Sequence, residues 1–405
     1  MSGVRARRGR LEISGRPCQT NVVAAPFTVV GLFAGVGGIE RGLHLSGGES
    51  VMLSESWQAA KVVLRRRFPD VELVGDITQL NALPECDLVA AGFPCTDISQ
   101  AGRTAGIGGA ASGLVVKALD LIRVRRPKWV LLENVPNMLH LSRGRAMSEI
   151  TDQLQDMDYA WAYRVIDSRA FGVAQRRRRV FLLASTEGDP ASVLLGEDAG
   201  QPTAVHWRED AYGFYWTEGN RGIGWAQDAV PTLKGSTTAS IPSPPGVWLP
   251  KNPIGLQISR PSIEAAELLQ GFPAGWTMAA PPRDRWKLVG NAVTSHVTKW
   301  LGDRLVSGAA NLVDGLDRSP MRPDQAWPLA AYSAEGKRWR VQVSEWPVRK
   351  RYLHLATVMT QRGFEPLSAR ATRGFRLRLG NSSLRYDRDF FRALIDHEIA
   401  MSKRD

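Results

Sequence analysis

Cysteine is scarce in this chain, with three in 405 residues: Cys18, Cys86 and Cys95. Three thiols cannot build a disulfide framework, and none stands at metal-ligand spacing, so reduced thiols and no metal are expected. Long apolar runs are also lacking. Nothing approaches the roughly 18 residues that a membrane span needs, and Arg5, Arg7, Arg8 and Arg10 are not followed by the apolar core of a signal segment. The expectation is a soluble, cytoplasmic protein with no membrane partner and a basic tail over residues 1–26. Acidic residues are outnumbered, 40 against 52 Lys+Arg, which leaves a formal charge of +12. That excess favours a polyanionic partner, nucleic acid ahead of acidic membrane, because no basic amphipathic lipid-binding stretch stands out.

An apolar content of 43% allows a full core, and the length suggests two or three domains. The first apolar run, Phe27 to Phe33, ends in Ala34-Gly35-Val36-Gly37-Gly38, after which Ile39, Leu43 and Leu45 begin a short helical face. Strand, glycine turn and helix make a nucleotide-binding opening, since glycine lets backbone approach a ligand and a helix start offers free N–H groups. The spacing is not the six-residue dinucleotide fingerprint, so an ordinary tight turn is the alternative. The next strand, Val51 to Ser54, ends in Glu55, about 20 residues past the glycine turn, where Rossmann-type sites place a carboxylate on ribose hydroxyls. A third strand, Val71 to Val74, ends in Gly75-Asp76. Asp76 could accept a bond from an adenine amino group or simply cap a helix.

A fourth apolar run, Asp87 to Ala91, stops at Gly92-Phe93-Pro94-Cys95. An open α/β sheet puts its chemistry at such strand ends, and a thiolate after a rigid proline can add to an electron-poor ring carbon, so Cys95 is the candidate nucleophile. The bland alternative is a small buried hydrophobe. Residues Thr96 to Gly113 are rich in Gly, Ala and Ser and read as a lid or a disordered loop. After a helix from Leu114 to Val124, the strand Trp129 to Leu132 ends in Glu133-Asn134-Val135-Pro136. In a doubly wound sheet with adjacent fourth and fifth strands, Cys95 and Glu133 emerge side by side on the carboxyl edge.

Met147, Ile150, Leu154 and Met157 recur at helical spacing and read as core. Gln175-Arg176-Arg177-Arg178-Arg179 runs into the strand Val180 to Ala184, and alternation puts Arg177 and Arg179 on one face, where guanidinium forks could hold phosphate or a base carbonyl. Residues 186–258 are rich in Gly, Pro, Ser and Trp and read as a loop-rich insert outside the sheet. Ile263 to Leu269 reads as helix, and Gly290-Asn291-Ala292-Val293 reads as the opening of another, with Val293, Val297, Trp300 and Leu301 as its apolar stripe.

Taken in order, Phe33-Ala34-Gly35-Val36-Gly37-Gly38, Pro94-Cys95, Glu133-Asn134-Val135, Gln175 to Arg179 and Gly290-Asn291-Ala292-Val293 resemble the motifs of the cytosine-5 DNA methyltransferase family. The resemblance covers roughly Phe27 to Ala184 and Ser259 to Leu305, with the insert where that family keeps its target-recognition region. It implies an α/β fold with a Rossmann-like doubly wound methyltransferase domain over 27–185, a target-recognition insert over 186–258 and a return to the catalytic domain over 259–305. It implies S-adenosylmethionine as methyl donor, with Phe33, Gly35, Gly37 and Gly38 at the adenosine, Glu55 on the ribose, Asp76 and Ile77 by the adenine, and Asn291 closing the pocket. It also implies that Cys95, set by Pro94, adds to C6 of a flipped cytosine while Glu133 holds or protonates N3 and Arg177 or Arg179 steadies the O2 side. The implied partner is double-stranded DNA, the protein is expected to be a monomer, and the setting leaves room for a cognate restriction or defence component.

Two departures from the family pattern stand out. Ser56 follows Glu55 and the aromatic Trp57 comes one residue later, while Ala265 and Leu268 occupy positions where the family has Glu and Arg. An RNA methyltransferase, a catalytically dead DNA binder and a nicotinamide-dependent oxidoreductase are the rival readings. The insert and the basic C-terminus weigh against the first, and the intact Cys95, Glu133 and Arg177 set against the second. The glycine spacing weighs against the third. Residues 306–405 carry 18 Lys+Arg against 11 Asp+Glu and no catalytic constellation. Their spread of aromatic and apolar residues predicts a small folded α+β appendix whose arginines track phosphates, with a partner-docking module as the alternative.

Overall fold

The computed structural model describes residues 27–94, 113–217, 222–235, 244–308, 315–322 and 325–404. The apolar runs form the middle of a ten-stranded sheet: β1 (Phe27–Leu32), β2 (Gly48–Ser54), β3 (Glu72–Val74), β4 (Leu88–Ala91), β5 (Trp129–Asn134) and β6 (Ala160–Asp167). A two-residue β7 (Gln175–Arg176) leads into β8 (Arg178–Ser185). Parallel pairing runs in the order β3-β2-β1-β4-β5, and β8 and β6 continue the sheet antiparallel. The strand order reverses between β1 and β4, which opens a crevice at their carboxyl ends. Both faces are covered, which is why these strands read as unbroken apolar runs. Val30 and Leu32 pack on one face with the helices Gly113–Arg125 and Arg145–Asp156, and Val29 packs on the other with Gly38–His44 and Ser295–Ser307. Met147, Ile150, Leu154 and Met157 are buried in the first of these layers, as their spacing predicts.

The insert is more ordered than its composition suggests. Its first part, including the helix Pro190–Leu195, packs against the central sheet, with Leu194 in the same core as Phe181 and Leu183. The strands β9 (Tyr212–Phe214), β10 (Ala226–Gln227), β11 (Val230–Pro231), β12 (Gly246–Trp248) and β13 (Ile258–Pro261) follow. β11 pairs with β7, and the others build a second sheet.

The basic C-terminal segment has both helices and strands but does not stand apart. β14 (Arg318–Pro320), β15 (Ala330–Ala334) and β16 (Lys337–Val341) extend the central sheet beyond β6. β17 (Phe364–Pro366) then adds to β13, completing the second sheet in the order β10-β9-β12-β13-β17. The helices Ala369–Gly380 and Arg388–Ser402 close over that sheet, burying Phe375, Phe390 and Leu394 against Phe214, Trp248 and Ile258. A second difference concerns Gly290-Asn291, which ends the helix Pro282–Asn291 instead of opening one. Ala292 is extended and the next helix starts at Ser295, so only Val297, Trp300 and Leu301 of the expected stripe are helical.

Within β1, Gly31 leaves room for Glu40: a Cβ there would lie 2.3 Å from Glu40 Oε1. Glu40 is 1% exposed, and burial, reinforced by nearby Glu55, pushes its carboxyl from 4.5 up to about 7. A carboxyl raised in the native state makes that state bind the extra proton between these two values. Stability contributed by Glu40 is therefore whole below pH 4.5 and falls as pH rises towards 7, by about 3 kcal/mol in all. Glu40→Gln should flatten this slope. Melting temperatures of variant and parent should diverge in the variant's favour from pH 5 to pH 8, and a constant difference would refute the assignment.

Candidate functional site

A cavity of about 630 Å³ lies at the carboxyl ends of β1, β2, β4 and β5 and is closed by the return segment around Lys287 to Ala292. At one end the chain turns sharply out of β1. Phe33 and Gly35 have positive φ, 56° and 58°, and Phe33 is a rare non-glycine there. Glu55 holds this turn. One carboxylate oxygen accepts from Gly35 N at 2.8 Å and the other from Trp57 N at 2.7 Å, joining the glycine turn to the start of the helix Gln58–Arg67. Burial raises the Glu55 carboxyl, and the amide donors oppose it.

Phe33, Gly35, Glu55, Asp76, Ile77 and Asn291 all line the cavity. Gly37 and Gly38 do not. A Cβ at Gly37, whose φ is 80°, would sit 2.4 Å from the Phe68 ring, and one at Gly38 would sit 2.4 Å from Val293 O. These two glycines are required by packing against the helix Gln58–Arg67 and the return segment. Asp76 accepts from Thr78 N at 2.9 Å and so caps the short turn Ile77–Gln79, while still facing the cavity. Trp57 lines the wall one residue later than the family pattern places its aromatic, with Lys287 Nζ 4.8 Å from its ring centroid.

At the other end are Pro94, Glu133 and Arg179. Cys95 and the glycine-rich stretch over 95–112 lie outside the described residues. The β4–β5 register pairs Ala91 with Leu132, so the two strand ends open side by side, and a Cβ on Gly92 would be 3.5 Å from Glu133 Oε2. Asn134 Nδ2 donates to Phe93 O at 3.1 Å, fixing the backbone that leads into Pro94. Glu133 is 7% exposed and its Oε1 lies 3.1 Å from Arg179 Nε. Burial raises its carboxyl above the ordinary value, with Arg179 and then Arg177 pulling the other way.

The arginine run has been divided among four destinations. Arg176 donates to Trp225 O and Gly224 O in the second sheet's loops, and Arg178 pairs with Glu345 of the C-terminal segment. Arg179 meets Glu133. Arg177, which shares the cavity wall, is 1% exposed and donates to Leu233 O at 3.3 Å, Gly290 O at 3.2 Å and Ala292 O at 2.7 Å. Three of its Nη bonds thus go to backbone carbonyls, while its buried Nε has no hydrogen-bond partner among the described residues. Gln175 works beside it, accepting from Leu233 N at 2.8 Å and donating to Leu269 O at 2.9 Å.

The family model for C-5 cytosine-specific DNA methylases matches residues 27–210. The chain is also 43% identical over 383 residues to the type II methyltransferase M2.BsuMI of Bacillus subtilis, covering 90% of this chain and 97% of that one. The chain belongs to the C-5 cytosine-specific DNA methyltransferase family. The type II methyltransferase M.MspI of Moraxella is 26% identical over 301 residues, covering 70% of this chain and 71% of that one. The structure of the S. pombe Dnmt2 methyltransferase shares the fold, with a TM-score of 0.50 and 16% identity over 69% of this chain and 98% of that one.

Residues that sequence reading missed hold this methyltransferase's glycine turn from the far side. Trp276 Nε1 donates to Val36 O at 2.8 Å, and its ring lies between Arg67 and Arg41, whose guanidinium carbons are 4.5 and 5.5 Å from the ring centroid. The loop carrying Trp276 is fixed by Glu267, fully buried, which accepts from Thr277 N at 2.8 Å and Gly275 N at 2.5 Å and pairs with Arg285. The departures at Ala265 and Leu268 thus leave a helix anchored by another acid. Among the described residues no cluster of three or more His, Cys, Asp or Glu could hold a metal ion, and no helix is long and apolar enough to cross a membrane.

Removing Arg177 would take the side-chain donor from the buried carbonyls of Leu233 and Gly290 and leave Ala292 O to Gln270 alone, whereas removing Arg179 leaves a carboxyl that can neutralise itself by taking a proton. Arg177→Met is expected to destabilise the methyltransferase by roughly 3–5 kcal/mol, with Arg179→Met costing clearly less. Urea unfolding checks this, and equal losses would contradict the division of labour.

Proposed function

We propose that this chain transfers a methyl group from S-adenosylmethionine to C5 of a cytosine flipped out of duplex DNA, through a covalent adduct at Cys95. The target is a short specific sequence, and the setting is restriction-modification or phage defence. The observation that carries this reading is the buried Glu133–Arg179 pair, which shares one cavity with the Glu55-held glycine turn.

The donor set fits a nucleoside. Both Glu55 oxygens retain acceptor capacity for ribose hydroxyls beyond the two amides, and Trp57 and Ile77 offer apolar walls. The cavity volume falls in the range of small-molecule sites. Phe33, Gly35, Asp76 and Asn291 complete that set. When bound, S-adenosylmethionine supplies an electrophilic methyl group.

Cytosine C5 is a poor nucleophile, so the base needs activation from the other end. The Cys95 thiolate forms a bond to C6 while Glu133, whose neutral form burial favours, gives its proton to N3. Electron density then resides at C5. Arg179 steadies the O2 side, and Arg177 acts through the carbonyls it ties, as a positioning residue. Once C5 carries the methyl group its proton passes to water, the electrons of that C–H bond form the C5–C6 double bond as the sulfur–C6 bond breaks and the thiolate leaves, and N3 gives its proton back to Glu133. The second sheet selects the cytosine, because base edges are read by side chains outside the catalytic cavity.

Cys95→Ser should bind S-adenosylmethionine yet neither turn over nor form an adduct with duplex DNA carrying 5-fluorocytosine, since a hydroxyl is far less ionised than a thiol. Glu133→Gln should slow methyl transfer about 10²–10⁴-fold while leaving cofactor affinity nearly unchanged, and Glu55→Ala should chiefly weaken that affinity. Tritiated-methyl incorporation and calorimetry separate the two, and a serine variant methylating at the parent rate would remove Cys95 from the reaction. Bisulfite sequencing of DNA from a host expressing the chain would give the target.

A further inference from the structure

The C-terminal helix Ala369–Gly380 carries Arg370, Arg373, Arg376 and Arg378, and from Ser368 to Arg404 there are nine Lys+Arg against four Asp+Glu. Their surroundings separate them. Arg376 is bound to Glu398 at 2.7 Å, so its charge is used within the hairpin. Arg373 stands 3.9 Å from the same carboxylate with its side chain mostly exposed. Arg370 is exposed and makes no ion pair among the described residues, and Arg378 donates one bond to Trp216 O at 2.9 Å. Arg370, Arg373 and Arg378 border an open groove with Gly374, Leu377 and Trp216.

The position of this groove follows from a chain of contacts that starts at the catalytic cavity. Asn291 lines that cavity, and a Cβ on Gly235 would lie 2.4 Å from Asn291 Oδ1. Next in sequence, Lys234 places Nζ 4.1 Å from the centroid of the Tyr215 ring, whose hydroxyl donates to Thr232 O at 2.8 Å. Trp216 follows Tyr215, and Arg378 holds its carbonyl. Side chain to side chain, the path from the cavity wall to the groove thus runs through Asn291, Gly235, Lys234, Tyr215, Trp216 and Arg378.

We infer that this groove is a second DNA contact, in which Arg370, Arg373 and Arg378 neutralise backbone phosphates of the same duplex that delivers its cytosine to the cavity. The inference rests on the proposed action on duplex DNA and extends it to the last forty residues. Duplex is favoured over an acidic protein by charge complementarity combined with place. The arginines left without a strong carboxylate partner line the groove, and the one that is neutralised faces its neighbouring helix. The contact reads no sequence, because guanidinium on phosphate is indifferent to base identity.

The test is a salt titration with a fluorescein-labelled duplex of arbitrary sequence, about three helical turns long, on the full-length protein. Arg370→Gln/Arg373→Gln should lower the slope of log affinity against log salt by about 1.8, at about 0.9 per phosphate contact. Arg370→Lys/Arg373→Lys should keep most of the slope, and S-adenosylmethionine affinity by calorimetry should be unchanged in both. An unaltered slope in the folded glutamine variant would overturn the inference, and so would a lysine variant as impaired as the glutamine one, which would mark a structural role. Methylation of genomic DNA by the parent protein separates the two levels. With that activity present and the slope unaltered, only this inference falls; with it absent, the reading of the substrate falls too.

Discussion

A guanidinium that cannot reach water must find its partners inside, and Arg177 has found them on carbonyls from segments far apart in the chain. Leu233 belongs to the approach to the second sheet, and Gly290 and Ala292 belong to the return segment that closes the cavity. One side chain therefore fixes the distance between the strand that presents Arg179, the loop that runs from β11 towards the second sheet and the return segment that forms one wall of the cavity. Burial lowers its proton affinity well below the ordinary arginine range. The same burial removes competing water, which is what makes its bonds to neutral carbonyls decisive.

The two acids of the cavity show how the same physics yields different roles. Glu55 and Glu133 are both raised by burial. Glu55 accepts backbone amides and thereby shapes the glycine turn, while Glu133 faces the Arg179 guanidinium. An acid tied to backbone is suited to holding hydroxyls, and an acid balanced between burial and a guanidinium is suited to exchanging a proton. The glycine turn between them is gripped twice, by Glu55 from within the sheet and by Trp276 from the return segment.

Much of this was legible because apolar runs in a doubly wound sheet stop where chemistry begins. The ends of β1, β2, β4 and β5 are marked by Phe33, Glu55, Pro94 and Glu133, and local pattern alone places them on one edge. Local pattern could not divide Arg177 from Arg179, since alternation puts both on one face and only the distant carbonyls decide which is buried. Nor could it tell Gly35, needed for a left-handed turn, from Gly38, needed because Val293 passes so close. The stripe at Val293, Val297, Trp300 and Leu301 suggested a helix opening over residues 290–293, whereas the helix starts at Ser295, because helical spacing says nothing about the extended Ala292 before it. The strands β14 to β17 were missed as members of the two sheets for a related reason. They are short and at or near sheet edges, where the pairing partner and not the strand's own composition determines the fold.

That sharing of strands sets an order of events during synthesis. β6 is emitted long before β15, its neighbour, and β13 long before β17, so both sheets wait for the last hundred residues. At translation speeds of about 5–20 residues per second, the nascent chain spends several seconds with β6 and β13 presenting open edges. Pairings this remote in sequence are slow to form and exposed to misassociation. Until β15 and β17 have emerged and paired, neither sheet of this chain has its full set of strands.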